Sequence, residues 1–322
     1  MYNYQLGTKE ASEQLIRDLY IDLKNKVNEW SKITKQTPQA RMGYIGQHLV
    51  SVVTGYPGSK TGARGPDLLL GNDEYGEIKT CYRVDQLGKC ANCGNVVSSM
   101  ENICTHCKST NIIRKDDSKW LIEIRNDVEF EKILEPKFYY FVLFEIEKLN
   151  NENKIVASIW EVNPKNRGFA FCMMDYYYNI RAKSSSKAPF NMWPYNLKFT
   201  LTQPKLIYRS LIYDDGKIET TIFPGDGKEH VDVLKPLNSY SGATTLKIKT
   251  IENIILKLDS HFKPREKTKE KLLTDLETIR NSQNIENATL CDLFSEEIYL
   301  CLLKEHIALM PCELKKHYPD LI

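Results

Sequence analysis

Apolar residues recur at helical spacing through the first fifty positions. Leu15, Leu19, Ile21, Leu23, Val27 and Trp30 form an approximate stripe that predicts a helix in one piece. Thr37-Pro38 restarts the chain. Threonine suits an N-cap and proline a first helical position, so a second helix is predicted from about Pro38 until Gly55 stops it. Met42, Ile45, Leu49 and Val52 form its apolar face, and Gly43 and Gly46 remove side chains where a sheet or another backbone can approach. After a glycine-rich loop the period falls to two. Residues 66–70 read as a strand, 71–75 as a turn and 76–83 as the return strand. A third strand is expected over 119–125, a short helix over 127–134, and further strands over 138–146 and 155–162. The strand, helix, strand step implies a right-handed crossover and an α/β sheet. Residues 175–240 mix aromatics, prolines and short β-like runs such as 205–213, and read as a β-rich recognition region. From Thr245 the spacing is helical again, through Ile248, Ile251, Ile254, Ile255 and Leu258, then 267–279, then 290–309.

Composition adds limits. With 322 residues the chain has room for one large domain or two ordinary ones. No apolar run approaches the length of a membrane span, and the polar start Met1-Tyr-Asn-Tyr-Gln-Leu-Gly lacks a signal-peptide core, so a cytoplasmic protein without membrane partners is expected. A net charge of +2 excludes little, because a DNA-binding face can be offset elsewhere. Between Lys154 and Arg209, however, nine Lys or Arg face two acids, Glu161 and Asp175. That segment is either a phosphate-facing surface or a solvated basic loop.

The chemistry concentrates in one short stretch. Pro66-Asp67 is followed after nine residues by Glu77-Ile-Lys79, and the loop before it delivers Lys60 and Arg64. If 71–75 form the hairpin loop, Leu70 pairs with Gly76 and Asp67 stands opposite Lys79. Side chains alternate across a strand, so Asp67, Glu77 and Lys79 then share one face while Leu68, Leu70 and Ile78 point to the core. Two carboxylates that converge can hold a hard cation such as Mg²⁺, which retains several waters, with the Ile78 carbonyl as a further oxygen. A lysine beside them can position water and stabilise charge on a phosphate. Acid-x-Lys also occurs at Asp22-Leu-Lys24, Asp117-Ser-Lys119, Glu135-Pro-Lys137 and Glu313-Leu-Lys315, so position carries the argument. The plainer reading is a surface hairpin with incidental charges.

Cys90-x-x-Cys93 and Cys104-x-x-Cys107 give the second signal. Two paired-thiolate turns supply four soft ligands in a tetrahedron, which suits Zn²⁺ and leaves no open position, so the centre is structural. Nine cysteines, an odd number with two such pairs, favour a reduced compartment over a disulfide framework. His106 reads as a bystander. The insert follows the second strand, where it can brace the hairpin or touch DNA through Lys89, Lys108 and Arg114.

The order of helix, Pro66-Asp67 strand, Glu77-x-Lys79 strand, third strand, helix and fourth strand resembles the catalytic core of the PD-(D/E)xK nucleases over about residues 38–146. Within that superfamily the chain is most similar to type II restriction endonucleases, and the four-cysteine insert with Ala188-Pro-Phe-Asn-Met-Trp-Pro-Tyr195 resembles the MamI-like group. The resemblance implies metal-binding acids at Asp67 and Glu77 and a catalytic lysine at Lys79. It also implies a homodimer that cuts a palindromic site, continuous or interrupted, in double-stranded DNA, and a cognate DNA methyltransferase as functional partner. Related nucleases often carry a glutamate on the preceding helix; here that helix offers Gln47, either a group bound to a metal-held water or an exposed amide. His48 reads as a helix-face histidine.

Sequence readout is expected from Arg181, Lys183, Lys187, Asn191 and Trp193, since Arg and Lys suit guanine and Asn suits adenine. A mobile loop followed by a packed tryptophan is the alternative. The expected organisation is an N-terminal helical region at 1–37, a nuclease core at 38–165 with its zinc insert at 88–115, a recognition region at 166–244 and a helical, dimer-forming region at 245–322. Two rivals remain: a repair or junction-resolving nuclease of the same superfamily, and a zinc-ribbon DNA-binding protein without catalysis.

Overall fold

The computed structural model describes residues 4–36, 43–60, 65–84, 87–97, 103–114, 119–149, 152–181, 184–185, 188–192, 199, 202–227, 247–286, 289–290, 292–294 and 296–297. Contacts divide the chain into two units, one of residues 1–119, 140–160 and 206–229, the other of 120–139, 161–205 and 230–322.

The first unit is built on a six-stranded sheet. Its strands are β1 (Leu68–Gly71), β2 (Glu74–Tyr82), β7 (Phe138–Leu149), β8 (Glu152–Val162), β10 (Lys205–Ile212) and β11 (Ile218–Ile222), in the order β1-β2-β7-β8-β10-β11. Helices pack on this sheet, which places the chain in the α/β class. The first helix, α1 (Lys9–Ile16), starts at Thr8, whose hydroxyl accepts the Ala11 N–H. It is not the single piece expected from the stripe. Residues Arg17–Asp22 form a π-helical turn before α2 (Leu23–Thr34), and the buried positions are Ala11, Ser12, Ile16 and Tyr20, while Trp30 is 65% exposed. The wider turn brings Tyr20 inward, where its ring lies 5.3 Å from that of Phe144, and Phe144 stacks on Tyr82 at 4.5 Å. The end of β2 is thus clamped to β7 and to the N-terminal helix.

Helix α3 is described from Gly43 to Thr54, and the predicted start at Pro38 lies outside the described residues. Gly55 ends it in a left-handed conformation, φ +81°. Ile45, Leu49, Val50 and Val53 form its buried face. Of its two glycines only Gly46 permits a close approach. A Cβ there would lie 1.9 Å from Thr80 Oγ1 and 2.9 Å from Thr80 Cβ, whereas a Cβ at Gly43 would meet nothing within 4 Å. Gly46→Ala should therefore push α3 away from β2 and cost about 1–3 kcal/mol, read as a lower urea midpoint, with Thr80→Ala recovering part of the loss.

The third expected strand does not join this sheet. β6 (Trp120–Ile122) pairs antiparallel with β9 (Phe190–Met192) in a two-stranded sheet of the second unit, so a crossover from β6 to β7 within one sheet is not formed. Backbone pairing partners, not the strand, helix, strand pattern, decided the outcome. The second unit also holds α4 (Asp127–Leu134), capped by Asn126 on the Glu129 N–H, α5 (Arg167–Met174) with a π-helical continuation over Asp175–Ile180, α6 (Ile248–Leu258) and α7 (Lys269–Ser282). Its core includes Trp120 against Phe199, Phe130 against Tyr177, and Tyr139 against Phe169. Tyr176 is buried, with Tyr177 and Tyr178 half-buried beside it. The region expected to be β-rich begins instead with the helical turn Asp175–Ile180, while the expected strand over 205–213 forms as Lys205–Ile212 and belongs to the main sheet. Among the described residues, no helix is long and apolar enough to cross a membrane.

Candidate active site and metal centre

The hairpin is tighter than expected. Asn72 and Asp73 occupy left-handed backbone, φ +52° and +60°, which is the two-residue turn that matches strand twist, and Gly71 at φ +87° absorbs a bulge before it. The register is Leu68 opposite Gly76 and Leu69 opposite Tyr75, not Leu70 opposite Gly76. A shift of two residues preserves the parity of the faces, so the grouping of side chains survives the error. Leu68 and Ile78 are buried. Continued by one residue, the register brings Asp67 opposite Glu77, not opposite Lys79.

Asp67 stands just before β1, and its side chain takes over the ladder. Its Oδ2 accepts the Ile78 N–H at 2.9 Å, and its Oδ1 accepts the Gln47 amide at 2.7 Å. One carboxylate therefore joins α3 to β2. Lys79 donates from Nζ to Glu77 Oε1 at 2.6 Å, each side chain 26% exposed. Burial raises the pKa of Asp67 above the ordinary carboxylate range, and the charge of Glu77 raises it further, opposed by the Ile78 N–H, the Lys79 ammonium and the Gln47 amide.

A cleft of about 410 Å³ opens beside Asp67. One wall is the face of α3 that carries Tyr44, Gln47, His48 and Ser51, and the other is the loop with Ser59 and Lys60. Glu77 and Lys79 do not line it. Tyr44 and Ser51 were not singled out from sequence, yet 44, 47, 48 and 51 follow the helical repeat and form the polar stripe opposite Ile45, Leu49 and Val53. That stripe was the available signal. Lys60 is exposed, in left-handed backbone at φ +59°. Arg64 lies outside the described residues.

Gln47→Glu would set a third carboxylate against Asp67 and near Glu77. It should lower stability in EDTA by about 1–2 kcal/mol and enlarge the rise in melting temperature on adding Mg²⁺, a comparison of two melts per protein.

The four cysteines converge. Their sulfurs lie within 4.8 Å of one another, with Cys90 3.4 Å from Cys107 and Cys93 3.6 Å from Cys104. Each Cys-x-x-Cys turn closes in the same way: the Gly94 N–H bonds the Cys90 carbonyl and the Lys108 N–H the Cys104 carbonyl, with Gly94 and Lys108 both at positive φ. The Cys93 N–H draws the Cys90 thiol pKa down to about 6, and the Cys107 N–H lowers that of Cys104. At Cys107 the Ser109 N–H pulls downward, but the neighbouring sulfurs of Cys90 and Cys93 push the value up to about 12. Crowded thiolates with amide donors fit Zn²⁺, and the His106 backbone N–H adds a further donor to Cys104. The turns hang on a three-stranded sheet, order β4-β3-β5, of β3 (Gly88–Cys90), β4 (Val96–Val97) and β5 (Ile112–Arg114).

Two of the expected readout residues, Arg181 and Asn191, are described, and both belong to the second unit. Arg181 follows the π-helical turn of the second unit, and Asn191 is exposed at the middle of β9, opposite Leu121. Lys183, Lys187 and Trp193 lie outside the described residues.

No curated protein and no solved structure gives a match to this chain. A family model, described as MamI restriction endonuclease, matches residues 29–235, more than half of the chain, and spans the Asp67 hairpin and all four metal-site cysteines. Members of such a family are nucleases whose substrate is DNA, and the chain belongs to the MamI restriction endonuclease family.

Proposed function

We propose that the chain is a Mg²⁺-dependent type II restriction endonuclease that hydrolyses phosphodiester bonds in double-stranded DNA through a PD-(D/E)xK-type centre at Asp67, Glu77 and Lys79. The observation that carries this reading is the Asp67 carboxylate, held between the Gln47 amide and the Ile78 N–H beside the Glu77–Lys79 pair, at the edge of an open cleft. The donors fit a hard cation. Asp67 and Glu77 are its ligands, and the Ile78 carbonyl leaves β2 on the same side as the N–H that Asp67 accepts. The raised pKa of Asp67 marks a carboxylate pressed by burial and by a second negative charge, a strain that a cation relieves.

When bound, Mg²⁺ supplies Lewis-acid polarisation of the phosphate and acidifies a water. Lys79, a point charge on a flexible stem, orients that water and steadies the negative charge that builds on the phosphate oxygens. Hydrolysis joins the water oxygen to phosphorus and breaks one P–O ester bond. The water gives up a proton, and the departing oxygen takes one. Gln47 keeps Asp67 in its rotamer throughout.

The same proposal assigns Lys60 and Arg64 to phosphate beside the cut, and Arg181, Lys183, Lys187, Asn191 and Trp193 to sequence readout. It takes residues 38–165 as the nuclease core with the zinc insert at 88–115, 166–244 as the recognition region and 245–322 as the dimer-forming region, with 1–37 as an N-terminal helical region. A homodimer then cuts both strands of a palindromic site, which a cognate methyltransferase protects.

The test is incubation of purified protein with long unmodified DNA, in Mg²⁺ or in EDTA, with sequencing of the ends. Discrete fragments in Mg²⁺ alone support the proposal and disclose the site. Cleavage confined to branched or damaged DNA would instead identify a repair nuclease, and binding without cleavage under any divalent metal would identify a zinc-dependent binding protein.

A further inference from the structure

The small sheet of the zinc insert has two unlike faces. The inner face carries Cys90 and Val97, which form a buried cluster with Cys104 of the second turn, with Ile112 packed against it. On the outer face one cross-strand row runs Val96, Lys89, Ile113, because Lys89 of the central strand is opposite both neighbours. Val96 is 72% and Ile113 64% exposed, and Leu87, two residues before Lys89, is 44% exposed. Three large aliphatic side chains thus surround one lysine in solvent. The described residues of the insert, 87–97 and 103–114, contain Lys89, Lys108 and Arg114 and no carboxylate.

Resting on the nuclease reading above, we propose that this outer face is a DNA-contacting surface that lies against the minor groove of the duplex flanking the cut. Aliphatic side chains can pack on deoxyribose and the edges of base pairs there, while adjacent cations engage the phosphates on either side. The cysteine thiolates offset part of the positive charge, but they cluster around Cys90, which alternates with Lys89 along β3 and so points to the other face. Chain length favours the same partner. Eight residues lie between Lys79 and Gly88, so the nine steps of chain span at most about 30 Å. A turn of duplex is about 34 Å, so a phosphate seated at Lys79 leaves flanking DNA within one turn in reach of the face. The metal's task is then to hold this row rigid next to the strand that carries Glu77 and Lys79.

The experiment uses the full chain with zinc bound. Wild type is compared with Val96→Asp/Ile113→Asp and with Val96→Thr/Ile113→Thr, which keeps branched side chains in the strands, and with Lys89→Ala. Affinity for a long mixed-sequence duplex is measured in Ca²⁺, along with zinc content, sedimentation and cleavage at saturating DNA in Mg²⁺. The expected result is a loss of affinity of about tenfold or more in the aspartate pair and a smaller loss in the threonine pair. Lys89→Ala should reduce the salt slope by about one. Zinc content and cleavage at saturation stay unchanged, and a footprint within one turn of the cut disappears. Wild-type affinity in the threonine and lysine variants, with wild type itself binding and cutting DNA, overturns the proposal. Unchanged affinity with weakened self-association overturns it in favour of a second copy of the chain. A wild type that neither binds nor cuts DNA instead fails the nuclease reading, and this face falls with it.

Discussion

Asp67→Ala is expected to reduce cleavage of duplex DNA by at least about a thousandfold while leaving most of the DNA affinity in Ca²⁺ intact. The size follows from two losses at one atom group. A carboxylate oxygen leaves the proposed metal site, and the joint between α3 and β2 opens, because both Gln47 and Ile78 donate to Asp67. The second loss also costs stability. The Ile78 N–H loses its acceptor in a half-buried setting, a penalty of about 1–3 kcal/mol that a urea melt would register. Lys79→Ala separates the two contributions. Its Nζ bonds Glu77 and takes no part in the Asp67 joint, so this variant should be as inactive as Asp67→Ala but should melt close to wild type. Single-turnover cleavage is the appropriate readout, since it isolates the chemical step from product release. Retention of a tenth of wild-type activity by either variant would move the active centre elsewhere.

Cys104→Ser should abolish zinc retention and unfold the insert. Among the described residues the buried core of this segment consists of Cys90, Val97 and Cys104 with Ile112 at its side, so two of its three buried members are proposed metal ligands. Strands of two and three residues have no independent stability, and the metal must supply what burial does not. Residues 88–114 should then become sensitive to protease and lose amide protection. The six-stranded sheet should survive, because its aromatic clamp of Tyr20, Tyr82 and Phe144 does not involve the insert. Metal content, limited proteolysis and hydrogen exchange together check this. An insert that stays protected without zinc would show that its outer surroundings hold it instead.

Much of this arrangement was legible in the residues. Period-two patterning with Gly71 and Asn72-Asp73 marked the hairpin, and parity alone placed Asp67, Glu77 and Lys79 together. Register was harder, because a five-residue loop and a two-residue turn are both compatible with the pattern; left-handed backbone at Asn72 and Asp73 made the choice. The cysteine spacing stated its own geometry. The fate of residues 120–122 was hidden, since their partner is 190–192, about seventy positions away, and no local period reports such a pairing. The π-helical turn at Arg17–Asp22 was likewise hidden, because it rotates the helix face by an amount that no propensity encodes, and so Tyr20 rather than Trp30 became the buried aromatic. For Gln47 the sequence left a choice between a working amide and an idle one. Its bond to Asp67 required knowing how closely Gly46 lets α3 approach Thr80.

The position of β10 and β11 in the main sheet bears on when activity can arise during synthesis. The Tyr208 hydroxyl donates to Ser12, and Glu13 accepts the Thr220 N–H, so the N-terminal helix is anchored by residues about two hundred positions later. A fold closed by such distant contacts gathers its native structure late and slowly. The hairpin that carries Asp67, Glu77 and Lys79 leaves the ribosome early, but the sheet that supports it cannot be completed until the strand ending at Ile222 has followed. At translation speeds of about 5–20 residues per second, a nascent chain passes on the order of ten seconds between exposing its proposed catalytic groups and acquiring the framework that would make them act.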